Sequence, residues 1–284
     1  MEYESYKEAG KIAKSALQKG IESIKEGKSY FEVAEEIEEY IKARADLAFP
    51  VNISVNSVAA HYTPSFGDAL EFKRGDVVKI DVGAHVNGFI ADTAKTIEVG
   101  TKDKEMLIKS ASEALEEAIR IIKAGVTIGE IGRRIEEKIR KYGLKPVRNL
   151  QGHLLSRYSL HAGISIPNVA NDSKTALKEG QVIAVEPFVS NGAGYVVDKG
   201  IGNIYRITKH SIFAKEIEKK FNGLPFAERW LREIYGNDTP SKISFFMKRK
   251  LIAPYFKLVD AENGIVSQFE HTIIVRENGC EVIT

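Results

Sequence analysis

Cysteine is almost absent from this 284-residue chain, which holds Cys280 and no other. One thiol cannot close an internal disulfide, so a cross-linked secreted scaffold is excluded, as is any thiolate-rich metal site. A long apolar run is also missing; none reaches the ~18–20 residues that span a bilayer as a helix. The opening stretch "MEYESYKEAGKIAKSAL" is charged and amphipathic and lacks the apolar core of a secretory signal. Charge of one sign is not in excess either. Lys and Arg number 41 against 39 Asp and Glu, a net charge of +2, so no global field draws the chain to nucleic acid or membrane. These absences predict a cytoplasmic protein in a reducing compartment, with no membrane partner and no DNA partner.

What is present is an ordinary soluble composition, 43% hydrophobic and 28% charged. A globular chain of this length buries about 75% of its unfolded surface, enough for one large domain or two small ones. Its organisation shows when the chain is compared with itself. "IKEGKSYFEVAEEIEEYIK" (24–42) aligns with "IKAGVTIGEIGRRIEEKIR" (122–140) at an offset of 98. Each copy reads as a helix end, a glycine, a Ser or Thr cap and a second amphipathic helix. "RGDVVKIDVG" (74–83) resembles "EGQVIAVEPF" (179–188), and "IADTAKTIEV" (90–99) resembles "QFEHTIIV" (268–275). The period is too long for a solenoid and predicts a duplicated α+β unit with a pseudo-twofold axis.

The strand repeats carry acids where a buried side chain is expected. In "KIDVGAHVNGFIADTAKTI" (79–97) the dipeptide Asn87-Gly88 suits a two-residue hairpin turn. The strands then pair so that Gly83 faces Asp92 and Asp81 faces Ala94, leaving both aspartates on one face. The repeat places Glu186 where Asp81 stands and Glu270 where Asp92 stands. The first pair is 11 residues apart and the second 84, which predicts an insertion in the second unit. We expect 204–256 to form this insert and 1–203 with 257–284 to form the main body. The insert holds helical patterns, the one tryptophan (Trp230) and the basic run "MKRK". Its charge has two readings: a solvated outer face, or a winged-helix-like module touching the ribosome.

Four carboxylates at a pseudo-twofold axis carry a desolvation cost that cations must offset. Oxygen-rich ligation with one or two imidazoles suits Mn²⁺, Fe²⁺, Co²⁺ or Zn²⁺. Of the six histidines, His85 flanks the hairpin turn and is expected to face solvent. His271 follows Glu270 on a strand and so points away from it, and His210 lies in the insert. His61, in "AAHYTP", and His153 and His161, in "LQGHLLSRYSLHAGISIP", remain as candidates for the site.

At these residues the chain is similar to a known family. "AFPVNISVNSVAAHYTP", "KIDVGAHVNGFIADTAKT", "LQGHLLSRYSLHAG", "VIAVEPF" and "SQFEHTIIV" together resemble methionine aminopeptidase of the type 2 class, in its short archaeal form. The resemblance covers essentially the whole chain. It implies the α/β (α+β) pita-bread fold with a small helical insert in the second half, and two divalent ions (Co, Mn, Fe or Zn). It implies Asp81, Asp92, His153, Glu186 and Glu270 as ligands, with Asp92 and Glu270 bridging, Asp81 on one ion, and His153 and Glu186 on the other. His61 and His161 match the family's two non-ligand active-site histidines, and Phe49, Leu160 and Tyr255 fall where the methionine pocket is lined. The implied reaction is removal of the initiator methionine from nascent polypeptide N-termini with a small second residue. A metal-activated bridging water would attack the scissile carbonyl, with Glu186 shuttling a proton. Asn52 departs from the smaller residue of many relatives near the pocket rim. Two other readings share the fold: an Xaa-Pro aminopeptidase or dipeptidase, which usually carries an extra N-terminal domain, and a non-catalytic RNA- or protein-binding relative. The latter lose ligands; all five are present here.

Overall fold

In the computed structural model, which describes residues 2–284, the internal repeat becomes two matching halves. Helix α1 (Glu2–Ser23) leads to α2 (Tyr30–Lys42), and α3 (Glu105–Ile121) leads to α4 (Ile128–Arg140). In each link a glycine sits at positive φ, Gly27 at 78° and Gly125 at 89°, where a β-carbon would be strained. Each second helix starts on a hydroxyl cap. Ser29 accepts from the Phe31 N–H and Thr127 from the Glu130 N–H, which satisfies donors left open by the first turn. Glu32 reaches back to the Ser29 N–H and completes a capping box. Val33, Ile37 and Ile41 in one half, and Ile131, Ile135 and Ile139 in the other, recur every four residues and are wholly buried in separate cores. Burying one such side chain contributes about 1.5–3 kcal/mol.

The first hairpin pairs Val77–Val86 with Phe89–Glu98 around Asn87 (φ 55°) and Gly88 (φ 86°), the backbone that a two-residue loop requires. Gly83 lies opposite Asp92 and Asp81 opposite Ala94, as the turn chemistry predicts. In the second half Val182–Val185 pairs antiparallel with His271–Arg276. The chain between them forms a long antiparallel pair, Val196–Ile207 with Ile252–Asp260. At its far end stand α5 (Lys215–Phe221), α6 (Arg232–Tyr235) and α7 (Thr239–Lys248), closed around Phe226, Trp230, Leu231 and Phe246. The boundaries expected at 203/204 and 256/257 fall inside the strand pair. Ile204 and Tyr205 pair with Tyr255 and Pro254, so the ladder continues from the main body into the insert through a register shift between Ile201 and Ile204.

Hydrophobic packing is non-directional and does not by itself fix the register of one half on the other. Directional bonds do. Glu270 exchanges backbone bonds with Ala94. On either side, threonine hydroxyls extend the ladder: Thr272 Oγ1 accepts from the Asp92 N–H at 2.7 Å, and Thr96 Oγ1 accepts from the Gln268 N–H at 2.8 Å. Lys79, fully enclosed, donates to the Asn56 carbonyl in its own half (3.0 Å) and, across the same junction, to the Val266 carbonyl (2.8 Å). His85 does not face solvent as expected; it is 5% exposed, because Tyr158 packs edge-on against its ring and Nδ1 accepts the Gly88 N–H.

Candidate metal centre

All ten side chains singled out in the sequence line one cavity of about 330 Å³ at the junction of the halves: Phe49, His61, Asp81, Asp92, His153, Leu160, His161, Glu186, Tyr255 and Glu270. Two of the acids lie on strands and two at strand ends. Asp81 and Asp92 lie on the first hairpin, Glu186 directly follows Val182–Val185, and Glu270 directly precedes His271–Arg276. His153 lies within the strand Gln151–Leu155, opposite Ala184. Strands leave these groups little freedom, which suits a site that must hold a geometry.

The His153 Nε2 atom is 3.7 Å from an oxygen of Asp92 and 3.6 Å from one of Glu186. One donor atom from each of Asp92, His153 and Glu270 falls within 4.8 Å of the others, and all three residues are buried. Burial pushes the carboxyls of Asp92, Glu186 and Glu270 well above their usual range, and mutual repulsion adds to it. Asp81 is pushed up to about 7 by burial, opposed by hydrogen bonding to Asp92 and Gln268. His153 is lowered to about 3 by burial and the adjacent His161, so its imidazole is neutral and keeps a lone pair.

Three carboxylate oxygens of this cluster have no hydrogen-bond partner among the described residues: Asp81 Oδ1, Asp92 Oδ1 and Glu270 Oε1. A buried polar atom left unsatisfied costs about 1–3 kcal/mol, more if charged. Acceptors crowded together without donors are what a divalent cation satisfies, and the oxygen-rich set with one imidazole fits Mn²⁺, Fe²⁺, Co²⁺ or Zn²⁺.

Around this cluster the cavity changes character. The His153 and His161 rings are 4.4 Å apart, and His61 meets Tyr255 edge-on at 5.1 Å. Phe49 lies across Gly83, where a β-carbon would come within 2.1 Å of the ring; only glycine lets the aromatic wall approach the acid-bearing hairpin. Phe188, Ile204 and Leu258 extend the apolar wall.

One site residue escaped the sequence reading, and another was noticed without its role. Gln268 Nε2 donates to Glu186 at 3.3 Å and to Glu270 at 3.2 Å, tying the second acid pair together. It stands two residues before Glu270, so strand periodicity alone would have put it on the same face. Asn52 appeared as a departure at the rim; its side-chain oxygen accepts the His61 N–H at 2.9 Å.

Residues 4–277 match the model of metallopeptidase family M24. The methionine aminopeptidase of Methanocaldococcus jannaschii is 43% identical over 99% of this chain and 98% of its own length. That of Archaeoglobus fulgidus is 44% identical over 98% of this chain and 96% of its own. The solved structure of methionine aminopeptidase from Thermotoga maritima superposes with a TM-score of 0.75 at 28% identity, covering all of this chain and 96% of its own.

Proposed function

Because this chain belongs to metallopeptidase family M24, and within it to the methionine aminopeptidases, we propose that it uses a pair of divalent ions to remove the initiator methionine from nascent polypeptides with a small second residue. The observation that carries this reading is the meeting of four acids with the His153 Nε2 atom, three of the carboxylate oxygens being left without a partner. Two dications would balance four carboxylates. Asp92 and Glu270, the least exposed acids of the cluster and one from each half, would hold them together with Asp81, His153 and Glu186. When bound, such ions lower the pKa of a water enough to supply a nucleophile near neutral pH and polarise a carbonyl. The helical insert within the second half supports assignment to the type 2 class.

The remaining steps belong to the chain's own side chains. Phe49, Leu160 and Tyr255 offer an apolar pocket for the unbranched methionine side chain. A cavity of about 330 Å³ leaves room for little more than that side chain and a small second residue. His161, exposed at the mouth, would donate to the carbonyl oxygen as charge develops there. His61, held neutral because burial and His161 lower it to about 4, would position the substrate or assist departure of the amine. Glu186, whose carboxylate lies 3.6 Å from His153 Nε2 in the cavity, would take a proton and return it to the leaving amine.

The test is selectivity. Release of methionine from Met-Ala-Ser should exceed release of the first residue from Xaa-Pro peptides by roughly 100-fold or more in kcat/KM, since a pocket shaped for one side chain discriminates on that order. Equal or reversed preference would transfer the chain to the Xaa-Pro peptidases.

A further inference from the structure

His61 is unusual in its backbone as well as its place. Its φ is 65°, in the left-handed region, which costs a residue with a β-carbon and persists only where neighbours enforce it. One set of constraints comes from the main body. The Thr63 N–H donates to the Gly202 carbonyl at 3.0 Å, and Asn203 Nδ2 donates to the Thr63 carbonyl at 2.9 Å. A β-carbon at Gly202 would fall 1.6 Å from the His61 carbonyl oxygen, so that strand passes directly against the turn.

A second constraint comes from the insert. Arg229, 6% exposed, sends Nη1 to Thr63 Oγ1 at 2.7 Å and to the Pro64 carbonyl at 2.9 Å. Its Nε donates to Glu35 at 2.8 Å and its Nη2 to Glu38, while Trp230 Nε1 donates to the other Glu38 oxygen at 2.6 Å. Thr63 Oγ1 passes its own hydrogen to the Val51 carbonyl at 2.7 Å. Glu35 and Glu38 would suffice to neutralise a buried guanidinium. Yet two of its four partners belong to the turn that directly follows His61, and a planar fork is the side chain able to serve both directions at once.

We propose that Arg229 is a positioning residue for the aminopeptidase reaction: through Thr63 and Pro64 it holds the turn that presents His61 to the cavity, so the insert is part of the active-site architecture. This rests on the reading of His61 as an active-site group. The experiment is a double-mutant cycle on Met-Ala-Ser hydrolysis by the metal-loaded full chain. Arg229→Met leaves Glu38 buried without its cation and risks the fold, so Thr63→Val, which removes only the hydroxyl, is made beside it. Both should lower kcat about 10-fold or more with KM changed less than threefold, and Thr63→Ser should restore kcat. In a His61→Ala background the same changes should cost less than twofold, because the group they position is gone. Glu35→Gln, which touches only the ion-pair side, should leave kcat within twofold. Wild-type kcat in a folded Thr63→Val, or a full 10-fold loss that persists without His61, would overturn the proposal. If His61→Ala alone is as active as the wild type, the reading of His61 fails first, and the proposal with it.

Discussion

Asp92→Asn should lower methionine release by about 10³-fold or more, since it removes a charged ligand from the centre that supplies the nucleophile. The same substitution should make the metal-free protein more stable. Asp92 is 4% exposed and faces Glu270 and Asp81, both of which repel its ionised form. An amide of the same shape relieves that repulsion at no cost in volume. The effect should reverse with Mn²⁺, because an ion that binds only the folded state stabilises it in proportion to the logarithm of its saturation, and the variant loses that contribution. Thermal unfolding of both proteins, with chelator and with Mn²⁺, reads the sign directly; a chain of this size shifts by roughly 2–4 °C per kcal/mol. A pH dependence accompanies it. With its carboxyl raised from 3.8 to about 7, Asp81 binds its proton more tightly folded than unfolded. Its contribution is fully present below the unfolded value and is lost as pH rises toward about 7, so the chelated wild type should weaken across that window. A chelated protein that gains stability over the same range, or an Asp92→Asn variant less stable than the wild type in chelator, would contradict this account of the cluster.

The second large effect is expected from Glu186→Gln, which should abolish turnover without unfolding the protein. The glutamine keeps the shape and an oxygen for the ion but cannot accept and return a proton, a role worth about 10²–10⁴-fold in rate. Circular dichroism should match the wild type, and Met-Ala-Ser hydrolysis should stay lost even where saturating Mn²⁺ restores full metal occupancy. Retained turnover in a metal-loaded variant would move the proton transfer to another group in the cavity, His61 or His161.

Local rules made much of this molecule legible in advance. The repeat offset of 98 is the spacing of α2 and α4 and of their caps Ser29 and Thr127, because helix ends are written in short-range chemistry. The hairpin register followed from Asn87-Gly88, since a two-residue loop leaves a strand no freedom to slip. Convergence of the acids followed from duplication plus that register. What stayed hidden depended on contacts between distant segments. His85 was expected in solvent from its place beside a turn, but Tyr158, from the loop that follows Gln151–Leu155 in the other half, covers it. Gln268 lacked a charge to draw notice. Arg229 read as one more cation in a basic insert, and its attachment to Thr63, 166 residues earlier, is written in no local pattern. The insert's extent was read from the unequal spacing of the two acid pairs, and the strand pair Val196–Ile207 with Ile252–Asp260 spans both of its expected limits.

The central claim is that one cavity, built from both halves, holds two dications. Anomalous diffraction at the manganese edge, from crystals grown with Mn²⁺, tests it most directly. Two peaks are expected, each in contact with side chains from Asp81, Asp92, His153, Glu186 and Glu270. A single peak there at saturating manganese, or density confined to some other surface, would contradict it.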